Sequence, residues 1–220
     1  MSGDAKKVKV VYRPQVFDVP DVDAAKAIIL TPERGTTTAE RWEVETPYLV
    51  DAIGRELALG PDHCVLDFGC GIGRIAKALI DRHGCRVVGV DISERMRSIA
   101  PEYVGSARFV AWSPEELDSR VAGGFRASHA VTCWVIQHVL QPDAELARIE
   151  AALAPGGELF VLNQGHRAVP SNLGWIDDGI SVEALLTARF DVVSRGVLPE
   201  IVTTPELAAM TYTMRLRKRS

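Results

Sequence analysis

Glycines and carboxylates alternate in one short segment of the chain, in a pattern typical of a ligand-binding turn. The residues concerned are Asp67, Gly69, Gly71, Gly73 and, after the next apolar run, Asp91. Glycines between a buried strand and a helix let a ligand approach the backbone, and the helix start offers unpaired N–H donors. An acid before the loop favours a ligand with an ammonium group and disfavours a pyrophosphate. A carboxylate at the tip of the next strand can accept hydrogen bonds from a ribose diol.

The glycine spacing differs from that of a dinucleotide-binding loop. The dinucleotide fingerprint is G-x-G-x-x-G, in which the third glycine allows close packing of helix and strand beside the pyrophosphate. Counted from Gly69, that third position is Arg74. A nicotinamide oxidoreductase on a similar sheet therefore stays only as an alternative.

The elements that must position these residues alternate regularly along the chain. Five apolar runs with little polar alternation predict strands that are buried on both faces, at 64–68, 86–90, 107–112, 127–134 and 158–163. Helical spacing of apolar residues lies between them, at 74–82, 94–103 and 143–153. The pattern predicts an α/β fold: a doubly wound, mainly parallel seven-stranded sheet with helices on both faces. Its ligand crevice should lie at the carboxyl ends of the strands.

Both ends of the chain depart from this alternation. Residues 190–198 and 210–217 predict two strands joined without a helix, and hence an antiparallel edge strand. Residues 39–59 predict one amphipathic helix, kinked at Pro47. We expect residues 1–38 to form an N-terminal arm or cap and residues 39–220 to form the main domain.

Composition and charge exclude several classes of partner. The net charge of -4 does not indicate the basic surface that binds nucleic acid. The basic residues at 215–219 fit the solvent-exposed face of a terminal strand. The sequence shows neither a cleavable signal nor a run of ~18 apolar residues that could span a membrane. These observations predict a cytoplasmic protein, a monomer or homodimer, that acts on a small-molecule substrate.

The glycine loop and Asp91 together resemble the first two motifs of class I (Rossmann-like) S-adenosylmethionine-dependent methyltransferases of the small-molecule branch. The resemblance implies S-adenosylmethionine as cofactor and S-adenosylhomocysteine as its product. It implies that Asp91 binds the ribose. Trp112 would either flank the adenine or pack as a half-buried side chain, and Arg41 would either pair with the cofactor carboxylate or have a surface or staple role. The implied cofactor-binding residues are Asp67, Gly69, Cys70, Gly71, Gly73, Asp91, Ile92, Trp112, Ser113 and Arg41.

Two positions depart from the pattern of this family. Ser113 stands where an acid commonly binds the adenine amino group, so its hydroxyl or the local backbone would make that contact. His129 stands where the family often has an acid, which argues against a metal-assisted, catechol-type subclass. We therefore predict no metal site. The same departures motivate an alternative hypothesis, a non-catalytic sensor or partner subunit that binds S-adenosylmethionine.

The implied reaction is methyl transfer by in-line displacement, with a hydroxyl group as the favoured acceptor. Positioning the reactants can remove ~7–11 kcal/mol of barrier, whereas a general base adds ~10²–10⁴-fold. A hydroxyl acceptor requires a base, and His138 and His166, which follow the fourth and fifth predicted strands, are the candidates. Trp42 and Tyr48 are predicted either to wall the acceptor site as part of a lid or to have a surface or helix-staple role.

Overall fold

A computed structural model describes residues 9–32 and 35–219. Its helices are α1 (Val22–Ile29), α2 (Thr38–Glu56), α3 (Arg74–His83), α4 (Glu94–Val104), α5 (Pro114–Ala122), α6 (Pro142–Ala152), α7 (Val182–Arg189) and α8 (Pro205–Met210). Its strands are β1 (Cys64–Phe68), β2 (Arg86–Val90), β3 (Phe109–Trp112), β4 (Ala127–Cys133), β5 (Leu153–Gln164), β6 (Val169–Ser171), β7 (Gly174–Ile176), β8 (Phe190–Gly196) and β9 (Thr211–Lys218). Short 3-10 turns cover Pro14–Phe17 and Ile136–His138.

Within the described residues, one seven-stranded sheet has the strand order β3-β2-β1-β4-β5-β9-β8. Strands β1 to β5 pair in parallel, whereas β9 pairs antiparallel with both β5 and β8. The predicted mainly parallel α/β sheet with an antiparallel edge pair is confirmed. The antiparallel strand β9 lies between β5 and β8, and β8 forms the edge of the sheet. The short helix α8 joins this pair where the sequence predicted none.

The central strand explains why the apolar runs show no polar alternation. Val65 belongs to the core cluster that includes Leu49 and Leu79 of α2 and α3. The next residue, Leu66, belongs to the cluster on the other face with Leu146 of α6. Both β1 side chains are fully buried. Since successive side chains of a strand point to opposite faces, helices on both sides of the sheet require apolar residues at every position.

Helix starts follow their capping residues. Helix α2 begins with a capping box, in which the Thr37 hydroxyl accepts from the Glu40 N–H and the Glu40 carboxylate accepts from the Thr37 N–H. Ser93 caps α4, whose first turn therefore starts directly behind Asp91. The predicted helix over 39–59 is observed as α2, which includes Pro47.

The order of the strands reverses around β1, which pairs with β2 on one side and with β4 on the other. At such a switch point the loops that follow neighbouring strands diverge and leave a crevice at their carboxyl ends. The loops after Phe68, Val90 and Cys133 therefore meet at one edge of the sheet. Among the described residues, no helix combines the length and the apolar character needed to cross a membrane.

Candidate functional site

A cavity of about 430 Å³ lies at this edge of the sheet, at the ends of β1, β2 and β4. Its volume is within the ~300–1,000 Å³ of typical small-molecule sites. Five residues that the sequence analysis selected line it: Gly69, Gly71, Asp91, Ile92 and His138. The structure thus brings the glycine loop, the second acid and one candidate base together.

The glycine loop approaches both the second acid and the N-terminal segment. The Gly71 N–H donates to Asp91 Oδ2 at 2.8 Å. Gly71 has a φ of 55°. A Cβ at this position would lie 2.8 Å from Cδ1 of Ile29, at the end of α1. Both the backbone conformation and the close approach of α1 therefore require glycine here.

Asp91 is held in one orientation by backbone donors. Its Oδ1 accepts from the Ser93 N–H at 2.9 Å and its Oδ2 from the Gly71 N–H. Burial raises the pKa of this carboxyl, and the two backbone hydrogen bonds act in the opposite direction. Because each carboxylate oxygen has a second lone pair, a fixed Asp91 can still accept from a ligand in the cavity.

Asp67 lies behind the loop, outside the lining of the cavity. Its side chain is buried, and its Oδ2 has no hydrogen-bond partner within the described part of the chain. Burial raises the pKa of Asp67 to about 7, against the opposing effects of the Ala76 N–H and Arg74. A buried polar atom without a partner is unusual, so this oxygen is a candidate acceptor for a donor that the described residues do not supply.

Cys70 and Gly73 support the loop from inside. The Cys70 thiol is buried and contacts the Gly71 carbonyl oxygen at 3.5 Å. Gly73 starts α3 with a φ of 89°, and a Cβ here would lie 2.4 Å from Cγ2 of Val104. Neither residue lines the cavity. Gly73 therefore allows α3 and α4 to pack closely.

We expect Gly73→Ala to lower the free energy of unfolding by about 2–3 kcal/mol, since it combines left-handed strain of ~1–2 kcal/mol with overpacking against Val104. Urea denaturation would measure the loss. Gly124→Ala is the matched control, because Gly124 also has a positive φ of 97° but its Cβ would meet nothing within 4 Å. An equal cost for both variants would show that Val104 moves aside freely.

Trp112 and Ser113 lie beside the cavity and not in its lining. The Trp112 ring is buried, meets Phe125 edge to face at 5.0 Å and lies under the Arg120 guanidinium. The Ser113 hydroxyl caps α5, accepting from the Glu116 N–H at 3.1 Å. The following residue, Pro114, does line the cavity.

Arg41 belongs to a buried ionic network behind the cavity wall. Its guanidinium donates to the Thr31 carbonyl and to Glu45 Oε2 at 3.0 Å. Glu45 is fully buried and its Oε1 also accepts from Arg74 at 3.3 Å and from the Trp134 indole N–H at 2.7 Å. Trp134 lines the cavity with a φ of 63°, unusual for a non-glycine residue.

The aromatic residues of α2 pack away from the cavity. Trp42 meets Tyr103 at 6.4 Å and lies under the Arg74 guanidinium, and Tyr48 packs against the core on the α2 side of the sheet. Neither lines the cavity. The structure thus shows both residues packed against the core, a role that the sequence analysis did not predict.

His138 lies in the cavity wall at the end of its 3-10 turn. Its Nδ1 is 2.7 Å from the Ala168 carbonyl oxygen, and since a carbonyl only accepts, Nδ1 carries the proton. Burial lowers the pKa of His138, which favours the neutral ring. In the neutral ring Nε2 then carries the lone pair and can accept from the Gln137 amide nitrogen, which lies 3.4 Å away. His166, in contrast, is exposed and outside the lining.

The N-terminal segment supplies lining residues that the sequence analysis did not find. Tyr12 and Phe17 line the cavity, and Glu145 does so from α6. The segment is tied to the β6–β7 hairpin, because the Arg13 N–H donates to the Pro170 carbonyl at 3.0 Å. Such contacts between distant parts of the chain leave no local pattern in the sequence.

In the part of the chain that the structure describes, no group of three or more His, Cys, Asp and Glu side chains is placed to hold a metal ion.

Comparisons with known proteins agree with this geometry. Residues 41–190 match the profile of a family described as "Methyltransferase domain". The chain is 29% identical to N-demethylindolmycin N-methyltransferase of Streptomyces griseus over 135 residues, 58% of this chain and 56% of the relative. It is 35% identical to trans-aconitate 2-methyltransferase of Paracidovorax citrulli over 114 residues, 49% of this chain and 41% of the relative. The chain thus spans about half the length of the curated relatives it matches.

Solved structures show the same fold. The N-methyltransferase NodS of Bradyrhizobium japonicum, in complex with S-adenosylhomocysteine, matches with a TM-score of 0.62 and 17% identity over 81% of this chain and 88% of that one. The 1,6-didemethyltoxoflavin-N1-methyltransferase of Burkholderia thailandensis matches with a TM-score of 0.61 and 22% identity over 81% and 80%. The family profile covers more than half of the chain, so the protein belongs to the methyltransferase domain family and has the class I S-adenosylmethionine-dependent methyltransferase fold.

Proposed function

We propose that this protein transfers a methyl group from S-adenosylmethionine to a hydroxyl group of a small-molecule acceptor. The observation that carries the proposal is that one cavity joins the glycine loop and Asp91 to His138, whose Nδ1 carries the ring proton and whose Nε2 is therefore the basic nitrogen. Methyl transfer to a hydroxyl group requires that the nucleoside site and a base share one cavity.

The charges around the cavity fit a cationic nucleoside. Within the described residues, no lysine or arginine lines the cavity, whereas Asp91 and Glu145 do. Carboxylates attract a sulfonium and would repel a pyrophosphate. The unpartnered Asp67 Oδ2 is suited to accept from an ammonium group, directly or through a water. When bound, S-adenosylmethionine, the methyl donor of this family, supplies a methyl group already activated by its sulfonium.

Different residues of the chain would bind different parts of the cofactor. Asp91 would hold the ribose hydroxyls, the backbone of Gly69 and Gly71 would approach the amino-acid part, and Ile92 would cover the adenine. Arg41 lies outside the cavity lining, so it would act on the cofactor carboxylate only through the wall that Glu45 and Trp134 form.

The other residues selected from the sequence would act indirectly. Cys70 and Gly73 would shape the loop, whereas Trp112 and Ser113 would fix the end of β3 and the start of α5.

His138 would be the base. Its Nδ1–H is fixed on the Ala168 carbonyl, so a proton from the acceptor would go to Nε2. A lowered pKa keeps this nitrogen unprotonated at neutral pH. His166 has no part in the proposed mechanism, because it lies on the surface.

The N-terminal arm predicted over residues 1–38 would, in its described part, cap the cavity over the main domain, residues 39–220; residues 1–8 and 33–34 of the arm lie outside the described residues. Supporting this division, Tyr12, Phe17, Ile28 and Ile29 reach the cavity from before α2. Their apolar surface would exclude water from the acceptor side.

Calorimetry with S-adenosylhomocysteine, followed by incubation with S-adenosylmethionine carrying a labelled methyl group, tests the proposal. The acceptors would be matched alcohols, phenols, amines and carboxylic acids. We expect binding, and transfer to hydroxyl groups. Transfer to amines or carboxylates alone would overturn the hydroxyl assignment, and binding without any transfer would favour the non-catalytic sensor.

Cofactor affinity should depend on pH through Asp67. The ammonium group binds the ionised carboxylate, and the raised pKa of about 7 means that protons compete at neutral pH. The association constant should therefore fall by up to about tenfold per pH unit below 7 and level off above it. Calorimetry between about pH 5.5 and 8.5 measures this dependence. Asp67→Asn should bind more weakly with a flat profile; an unchanged slope in this variant would assign the dependence to another group.

A further inference from the structure

We propose that the acceptor is an uncharged hydroxyaromatic compound whose ring packs against an aromatic wall beside His138. The proposal deepens the function proposed above and rests on it, because it takes His138 as the base. It names a substrate class that neither the fold nor the family profile specifies.

The aromatic wall consists of Phe17, His138 and Trp175. The Phe17 ring lies 5.8 Å from the His138 ring, the Trp175 ring lies 5.2 Å from His138, and Phe17 and Trp175 are 6.1 Å apart. All three pairs are tilted at 55–57°. These are the separations at which aromatic rings attract each other through their quadrupoles. Two rings from separate elements thus converge on the candidate base.

Contacts within the protein hold the aromatic wall in place, and part of its surface remains exposed. Tyr12 forms an isolated bridge with Ser171, and the Val11 N–H donates to Asn172 Oδ1 at 2.7 Å, so the segment before Phe17 is bound to the hairpin that carries Trp175. Trp175 is not part of the cavity lining, but its ring borders those of Phe17 and His138, which are, and it remains 50% exposed. A prearranged aromatic surface with area left to cover favours a planar aromatic ligand, since little ordering is needed on binding.

The charges near the wall disfavour an anionic acceptor. Glu145 and Asp91 line the cavity, which in the described residues receives no lysine or arginine side chain. Arg167 is buried behind His138, and its guanidinium is engaged by the Ile136 carbonyl at 2.7 Å and by both oxygens of Asp178 at 3.0 Å. A carboxylate or phosphate acceptor would therefore enter without a cation to pair with.

The acidity of the acceptor also favours an aromatic hydroxyl. A phenolic group such as that of tyrosine has a pKa of ~10. This value is much closer to the pKa of imidazole than the pKa of an aliphatic alcohol is. In the reaction, the phenolic oxygen gives its proton to His138 Nε2 and forms the bond to the methyl carbon. The carbon–sulfur bond breaks, and its electron pair remains on sulfur in the neutral thioether S-adenosylhomocysteine.

The test uses 2-naphthol, decahydro-2-naphthol, 2-naphthoate and 2-naphthylmethylamine as probes. Their affinities for the protein loaded with S-adenosylhomocysteine would be measured by ligand-observed NMR, and methylation would be followed with S-adenosylmethionine. We expect 2-naphthol to bind at least about tenfold more tightly than each of the other three and to be methylated on oxygen. Phe17→Leu and Trp175→Leu should weaken it by about fivefold or more, and Trp175→Phe should restore most of the affinity.

Several outcomes would overturn the proposal: equal or tighter binding of the saturated, anionic or amine probe, binding of no probe, or a leucine variant with unchanged affinity for 2-naphthol. Failure of the underlying function is distinguishable, because it would appear as absence of S-adenosylhomocysteine binding to the unmodified protein. Cofactor binding with methylation of the saturated alcohol would refute only the aromatic acceptor.

Discussion

Replacing Asp91 by alanine is expected to weaken S-adenosylhomocysteine binding by about 10²–10³-fold. Two sets of contacts would disappear: those proposed to the ribose, and those that tie the Gly71 and Ser93 N–H groups to the carboxylate. Hydrogen bonds to a charged group contribute ~1.5–3 kcal/mol each, so losing two to the ligand reaches this range. Isothermal titration calorimetry of the purified variant measures the change.

Two further variants make the Asp91 result specific. Asp91→Asn keeps one carbonyl acceptor and should lose less affinity than Asp91→Ala. Asp81→Ala removes an acid from α3 whose side chain is 61% exposed, and it should leave the affinity unchanged. If Asp91→Ala bound the ligand as tightly as the unmodified protein, no nucleoside could lie across this strand end and the proposed function would lose its basis.

The sheet was predictable because its signal is local. Each inner strand is buried on both faces, so its apolar residues are contiguous, and the bounds predicted for β1 and β2 agree with the structure. Helix α5 gave no such signal, because Leu117 is its only buried residue among those described. A helix with one apolar contact shows no periodicity for sequence analysis to detect.

The positions of the two aspartates show where sequence reasoning about the site ends. Both Asp67 and Asp91 end or nearly end a buried strand, and their local sequences are alike in character. The structure places Asp91 in the cavity wall and Asp67 behind the loop, 3% exposed. Which acid lines the cavity depends on the direction of its side chain and on the packing of α3. The spacing of residues in the sequence encodes neither.

Arg41 differs from these cases because a sequence signal for its partner was present. Glu45 lies four residues further along the same helix, the spacing at which side chains of opposite charge meet. The aromatic wall offered no comparable clue. Residues 17, 138 and 175 come together only through pairing of the N-terminal segment with a hairpin far along the chain.

His138→Gln is expected to lower the rate of methyl transfer by about 10²–10⁴-fold, the usual contribution of a general base. Glutamine is close to histidine in size and polarity, so the cavity should keep its shape and S-adenosylhomocysteine should bind within about threefold of its original affinity. His166→Ala is the matched control and should retain the full rate, because this histidine is exposed and outside the cavity lining. Single-turnover assays with a saturating hydroxyl acceptor would measure the chemical step.

The pH profile separates a base from a residue that merely supports the wall. Protonated His138 cannot accept a proton, so the transfer rate should rise with pH through the pKa of His138 and stay level above it. Burial places that pKa below the ordinary value of 6.5, so the acid limb should have its midpoint below that pH. His138→Gln should be slow at every pH and lack this limb. If the His138→Gln variant kept the acid limb, or if only its KM rose, His138 would position the acceptor. The proton of the acceptor hydroxyl would then leave by another route.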